Sequence, residues 1–373
     1  MKKLLMLLLV FALSFSMLAG CTPAEEPAEE PAEEPAVEEP AEEPAEEPAE
    51  EPAEAGKIAK LGLGQNISTA KSKAKADDAN AQAQADVTIA AVGFDADGKV
   101  VSVTVDVAQT RVAFDENMAV TSDKEELVKS KKELGPDYGM VKASGIGKEW
   151  FEQMEAFEEW MIGKTVDEIT GLEVMERDES HKNVPNVPEL TSSVTITVES
   201  YLAAVEEAWN NAVDATGAET VGLGIETHIN KSKDATADAG AQAQVDTYMA
   251  ATAFDADGNV VATIIDNAQV RVAYELDGTL ATDTSVEGKT KHELKEDYGM
   301  VKASSIGKEW YEQMEAFQDW MAGKSMDEIM NLEVMERDEA HQHVPADPDL
   351  TSSVTITVEG YQAVVQEAYD MAR

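Results

Sequence analysis

The chain has one cysteine in 373 residues, so an intrachain disulfide is excluded whatever the redox compartment. Basic residues are scarce: 29 Lys and Arg stand against 74 Asp and Glu, giving a formal net charge of −45. That sign is wrong for contacting a phosphate backbone and rules out nucleic acid as a partner. No Gly-x-Ser-x-Gly elbow, no glycine-rich phosphate loop and no second thiol is present, which removes the commonest nucleophilic and nucleotide-handling machinery. Beyond the first twenty residues there is no apolar run long enough to span a bilayer.

What is present begins with a leader. Lys2-Lys3 precedes an apolar run from Leu4 to about Leu18, the layout of a secretory signal over residues 1–20. It ends Leu18-Ala19-Gly20-Cys21, which looks like a bacterial lipobox with Cys21 as the lipidated residue. The expected location is therefore the extracytoplasmic face of the cell membrane, held by a lipid anchor. From Cys21 to Gly56 the chain is built of Ala-Glu-Glu-Pro units carrying fifteen glutamates. With almost no apolar bulk this stretch cannot offset the entropy of folding, and its prolines and like charges favour an extended spacer.

From Lys57 onward the chain is a tandem duplication. Thr191–Glu199 and Thr351–Glu359 are identical, and the 160-residue offset holds without a gap. Gly62-Leu63-Gly64 returns as Gly222-Leu223-Gly224, and Tyr138–Lys142 returns as Tyr298–Lys302. Two homologous domains are expected, at 57–213 and 217–373, each long enough for its own core. Ala83, Ala85, Val87, Ile89 and Ala91 alternate with mostly polar residues, as in a half-buried strand. Asp97-Gly98 supplies a hairpin turn, and Val101, Val103, Val105 and Val107 alternate again. Asp95-Ala96-Asp97-Gly98 lacks the further carboxylates of a calcium loop. Trp150, Met154, Phe157 and Met161 fall at helical spacing, and Thr165-Val-Asp-Glu168 and Ser325-Met-Asp-Glu328 resemble capping boxes. Tyr201, Ala204, Val205 and Ala208 mark a C-terminal amphipathic helix in each repeat. Strands precede helices without regular alternation, so the fold class is α+β with a mainly antiparallel sheet.

Candidate chemistry concentrates in the doubled segment. The second copy reads Asp349-Leu-Thr-Ser352-Ser353-Val354-Thr355-Ile-Thr357, and the first reads Glu189-Leu-Thr-Ser192-Ser193-Val194-Thr195-Ile-Thr197. Val194, Ile196 and Val198 alternate with threonines, which an edge strand would also produce. Asp137–Lys142 suits either a packed turn or a ligand wall. His181 and His341 correspond between repeats. His341-x-His343 has chelate spacing, but Asn183 replaces its second histidine in the first copy, which favours surface histidines.

The doubled segment resembles the attachment motif of the FMN-binding domain family that carries flavin covalently: an acidic residue, two variable residues, Ser or Thr, usually Gly, usually Ala, then the modified Thr or Ser before a helix. Ser193 and Ser353 stand where glycine is usual, Val194 and Val354 where alanine is usual, and Glu189 where aspartate is expected. With the lipobox and two tandem copies, the chain looks like the two-flavin lipoproteins of Gram-positive extracellular electron transfer, the pheromone-lipoprotein type. That resemblance implies phosphoester-linked FMN on Thr195 and Thr355, installed by a flavin transferase. Glu189 and Asp349 would then assist the transfer. It also implies electron passage from a quinone-linked membrane donor to extracellular acceptors such as ferric iron, a carrier more than a catalyst, with reductase activity left open. Tyr138, Tyr298, Trp150 and Trp310 are candidate ring contacts, and Lys142 and Lys302 candidate partners for phosphate or reduced flavin. The competing reading is a duplicated, non-redox ligand-binding or adhesion lipoprotein, and in either case the signal peptide can be a pheromone precursor.

Overall fold

The computed structural model describes residues 56–373 other than residue 340. The signal peptide, Cys21 and the linker up to residue 55 lie outside the described residues. In the first repeat β1 (Lys60–Ser68), β2 (Gln82–Phe94) and β3 (Val100–Ala113) come first. They are followed by α1 (Lys131–Leu134), a 3-10 turn (Gly135–Tyr138), α2 (Trp150–Met161) and α3 (Val166–Thr170). The short strands β4 (Val174–Met175) and β5 (Val184–Pro185) lead to α4 (Glu199–Asn210), and β6 (Val213–Asp214) joins the repeats. The second repeat gives β7 (Thr220–His228), β8 (Gln242–Phe254), β9 (Val260–Ala273), α5 (Lys291–Leu294) and a 3-10 turn (Lys295–Tyr298). It closes with α6 (Trp310–Met321), α7 (Met326–Met330), β10 (Val334–Met335), β11 (Val344–Pro345) and α8 (Glu359–Asp370). The main sheets run β3-β2-β1-β6 and β7-β8-β9, antiparallel throughout, so the architecture is α+β. Among the described residues no helix is long and apolar enough to cross a membrane.

Local signals explain the elements. Asp95 Oδ1 accepts from the amides of Asp97 (2.9 Å) and Lys99 (2.8 Å), and Gly98 sits at φ 79°, so this carboxylate is committed to a hairpin turn. Both anticipated capping boxes form, Thr165 with Glu168 and Ser325 with Glu328. Trp150, Met154, Phe157 and Met161 are all buried on one stripe of α2.

Burial reveals what the alternation alone left open. In β2 the odd positions Ala83, Ala85, Val87, Ile89 and Ala91 and the even positions Ala90, Val92 and Phe94 are all buried. The even side packs on α2 and α4. The odd side packs on the other repeat, where Leu223, Val245, Met249 and Ala251 join the same cluster. β1 lies against β9 and β3 against β7, a reciprocal arrangement like that of a symmetric dimer written into one chain. Each repeat thus has a helix-side core, and the two share a third between their sheets. Many inner-face residues are alanines, which allows the sheets a close approach.

The repeated Gly-Leu-Gly has a steric cause. A Cβ on Gly62 would lie 2.1 Å from Ala208 O, and one on Gly64 2.0 Å from Ala204 O, both in α4. Gly222 and Gly224 meet α8 in the same way, at 1.7 and 1.9 Å from Ala368 O and Val364 O. The C-terminal helix of each repeat therefore rests backbone to backbone on its first strand. Gly64→Ala should cost on the order of 3 kcal/mol, read as a lowered urea midpoint. Gly145→Ala, where a Cβ meets nothing within 4 Å, should change stability by less than about 0.5 kcal/mol. Equal effects would refute the close-packing account.

These helices also place a carboxylate at the inter-repeat boundary. Glu207 accepts from Gln65 N and Gln65 Nε2, both at 2.7 Å, and Glu367 accepts from Ile225 N at 2.7 Å. Burial raises both to about 7 from 4.5, with Glu293 and Asp266 of the second repeat adding to the effect on Glu207. The folded state therefore takes up protons between those values. The contribution of these two groups is complete below 4.5 and is lost as pH rises through 7. The difference in unfolding free energy between the wild type and Glu207→Gln/Glu367→Gln should shift against the wild type from pH 5 to pH 8. A pH-independent difference would contradict this assignment.

Candidate functional site

Thr191–Glu199 is not an edge strand. Residues 191–193 form a turn, 194–198 run without regular structure, and α4 begins at Glu199. The alternation arises because Val194 and Val198, both fully buried, pin the segment to the helix-side core. Thr195 is held half-buried between them at the foot of α4. The second copy repeats this, with Val354 and Val358 buried around Thr355.

A buried glutamine clamps each threonine. Thr195 N and Thr195 Oγ1 both donate to Gln153 Oε1, at 2.9 and 3.2 Å. Gln153 Nε2 donates to Ser144 Oγ at 3.2 Å and to Lys148 O at 3.4 Å, so the amide is fully used. Thr355 and Gln313 make the same contacts at 2.9 and 3.3 Å, backed by Ser304 and Lys308. On the other side Arg177 Nη1 donates to Thr195 O at 2.7 Å, and Arg337 Nη1 to Thr355 O at 2.8 Å. Asp178 orients that guanidinium at 3.2 Å and meets His181 Nδ1 at 2.7 Å. The His181 hydrogen bond, followed by those from Ser180 N and Arg177, holds the Asp178 carboxyl down to about 2.

The remaining sequence candidates divide by position. Ser192 and Ser352 are exposed, while Ser193 and Ser353 donate to Leu190 O (3.3 Å) and Leu350 O (3.2 Å), closing the turn that glycine is expected to make. Glu189 and Asp349 are exposed on that turn, and Lys142 and Lys302 on the loop before α2 and α6. Trp150 and Trp310 are 2% exposed, and their indole N–H groups donate to Tyr201 Oη (3.0 Å) and Tyr361 Oη (2.9 Å). A ring so enclosed has no face to offer an entering ligand; both tryptophans are core. Tyr138 and Tyr298 are half-buried. The ammonium of Lys131 lies 5.0 Å from the ring centroids of both Tyr138 and Trp150, and Lys291 stands 5.2 and 5.4 Å from Tyr298 and Trp310. Burial lowers both lysines to about 8. His341 pairs with Asp338 and His343 with Glu359, rather than with a common centre.

Sequence reasoning missed Gln153, Ser144, Arg177 and Lys131 together with their copies. The signal for Arg177 was present, since Glu173–Glu179 returns as Glu333–Glu339 without change.

No family model matches the chain, and no solved structure matches it. Over 40 residues it is 52% identical to the chlorophenol reductase of Desulfitobacterium hafniense, covering 11% of this chain and 12% of that protein. A likeness of that extent carries neither fold nor activity.

Because Gln153 joins three segments and is wholly buried, Gln153→Leu should leave Thr195 N unpaired and cost about 1–3 kcal/mol. Denaturant unfolding of the variant checks this, and an unchanged midpoint would exclude the clamp as a structural element.

Proposed function

We propose that this chain is an electron carrier with FMN in phosphoester linkage to Thr195 and Thr355, anchored through Cys21 to the outer side of the cell membrane. The observation that carries the reading is the duplicated clamp. Each threonine hydroxyl is presented in an irregular segment before a helix, fixed by a buried glutamine, with an arginine against its own carbonyl. Esterification removes the hydroxyl proton and so costs only the longer of the two bonds to Gln153; the backbone bond at 2.9 Å remains.

The surrounding donors suit a phosphate. Arg177 and Arg337 place a guanidinium beside the attachment point, and the exposed hydroxyls of Ser192 and Ser352 lie on the adjoining turn. Thr357 Oγ1, two residues past Thr355, is buried without a protein partner among the described residues. A threonine hydroxyl is a weak nucleophile, so a flavin transferase would supply the activation. Bound flavin would supply one- and two-electron chemistry between a quinone-linked donor and acceptors outside the cell, ferric species among them. The protein's own residues would hold the phosphate end and fix the backbone that bears it.

Intact mass and in-gel fluorescence after coexpression with a flavin transferase test the reading. The wild type should gain two flavin-sized additions, Thr195→Ala and Thr355→Ala one each, and the double variant none. A fluorescent double variant would mean that the attachment sites are wrong. A colourless, unmodified wild type would favour the duplicated ligand-binding or adhesion lipoprotein.

A further inference from the structure

Each repeat holds a cavity that neither threonine lines. In the first repeat it measures about 410 Å³ between the end of β3 and the α1 turn, and its walls include Arg111, Lys129, Lys131 and Tyr138. In the second it measures about 380 Å³, with Arg271, Lys289, Lys291 and Tyr298 in the same places. Every residue lining one cavity has the identical residue in the other. Duplication alone does not account for this. Ser122–Asp137 and Thr282–Asp297, which supply much of the wall, differ at ten of their sixteen positions. The lysines, the leucine and the aspartate that reach the cavity are among the six retained.

The charge balance is unusual for this protein. Among the described residues none of these arginines and lysines has a carboxylate within ion-pairing distance. Arg111 is instead held by neutral acceptors, Gln84 Oε1 at 2.9 Å and Gln109 Oε1 at 3.2 Å. Arg271 is held likewise by Gln244 and Gln269 at 3.1 and 2.7 Å. Such contacts orient the guanidinium without neutralising it. Lys131 is 8% exposed at the cavity floor, whereas Lys129 and Arg111 are exposed at its rim. The single acidic wall residue is Asp137, or Asp297 in the second repeat, and it is exposed. Three cations line each cavity against one carboxylate, with Asp86 and Asp106 behind Lys131 and Asp246 and Asp266 behind Lys291, so the lining is locally cationic in a chain of net charge −45.

We propose that each cavity binds a small oxyanion, carboxylate or phosphate in class, between the Arg111, Lys129 and Lys131 side chains of the first repeat and between Arg271, Lys289 and Lys291 of the second. An oriented guanidinium fork favours a planar or tetrahedral oxyanion over a spherical halide. The buried ammonium supplies a charge whose strength is little screened by solvent. Binding there does not depend on flavin, because Thr195 and Thr355 lie outside both linings.

Calorimetric titration of the full chain, produced without a flavin transferase, tests the proposal with citrate and inorganic phosphate as separate probes. At least one probe should bind at two sites per chain. Lys131→Met should remove one of the two, and Arg111→Gln should weaken that one about tenfold or more, as expected for a charge-assisted contact. Lys129→Met, a rim substitution that leaves the fold intact, should also weaken it. Lys99→Met, which deletes an exposed charge on the β2–β3 turn, should leave both sites unchanged. The Thr195→Ala/Thr355→Ala chain should keep both sites, so failure of the flavin assignment leaves this outcome standing. Failure of both probes to bind, or equal weakening by Lys99→Met and Lys129→Met, would overturn the proposal.

Discussion

The burial of one sheet face of each repeat against the other is the constraint on which the rest depends. Ile67, Val87 and Ile89 on one side and Leu223, Val245 and Met249 on the other belong to a single cluster. Once these faces are committed to each other, α2 and α4 must cover the opposite face of the first sheet, and α6 and α8 that of the second. The clamp that fixes Thr195 reaches across from α2, and Thr195 itself precedes α4, so the candidate attachment points belong to the helical layers. The Gly-Leu-Gly seats follow from the same geometry. A sheet covered on both faces needs its helix close, and only glycine allows α4 to touch β1 backbone to backbone.

Charge is organised against the background rather than with it. A strongly acidic surface draws cations toward the protein and slows anions, the direction that the proposed ferric acceptors would need. The paired basic cavities offer the opposite environment over a few residues. Holding Lys131 in a buried position, with the Tyr138 and Trp150 ring centroids 5.0 Å from its ammonium and, among the described residues, no carboxylate at ion-pairing distance, is costly for folding. Rings beside an ammonium return part of that cost through cation–π attraction. Keeping the arrangement in both repeats while the flanking sequence diverges is what a binding role would require, and what packing alone would not.

Much of the fold was legible because its signals are local. The helical spacing from Trp150 to Met161, the Thr165 and Ser325 capping boxes and the Asp97-Gly98 turn each act within a dozen residues. The α+β class followed from their order. What escaped was long-range. Alternation in β2 identifies two faces but does not say what covers each, so the shared core was invisible. Gln153 meets Thr195 from 42 residues away and Arg177 from 18, with no spacing rule to connect them. Trp150 shows the same limit from the other side: an aromatic on a helical stripe reads as core or as ligand wall until its neighbours are placed. At Thr195 the alternating valines mimicked a strand, because two core anchors spaced four apart across an irregular segment leave the same pattern.

The two repeats also differ in one buried polar network. Buried Glu158 accepts from Val105 N, Lys132 Nζ and Arg373 Nη2, the last contributed by the second repeat. At the matching position Gln318 accepts from Ile265 N, with no ion pair to it among the described residues, and His292 replaces Lys132. An ionised, cross-repeat network in one copy thus corresponds to a neutral hydrogen bond in the other, and both satisfy the same strand amide. Structural polar groups can be exchanged in this way as long as no buried donor or acceptor is left unpaired. The threonine clamp has undergone no such exchange, and its hydrogen bonds agree between copies to 0.1 Å, 2.9 and 3.2 Å against 2.9 and 3.3 Å. The backbone bond does not by itself fix threonine there, since glutamine could hold the backbone amide of any residue; the hydroxyl adds the second, longer bond to the same oxygen. The feature that only threonine or serine supplies at that position is a hydroxyl, which is also the group a phosphoester needs.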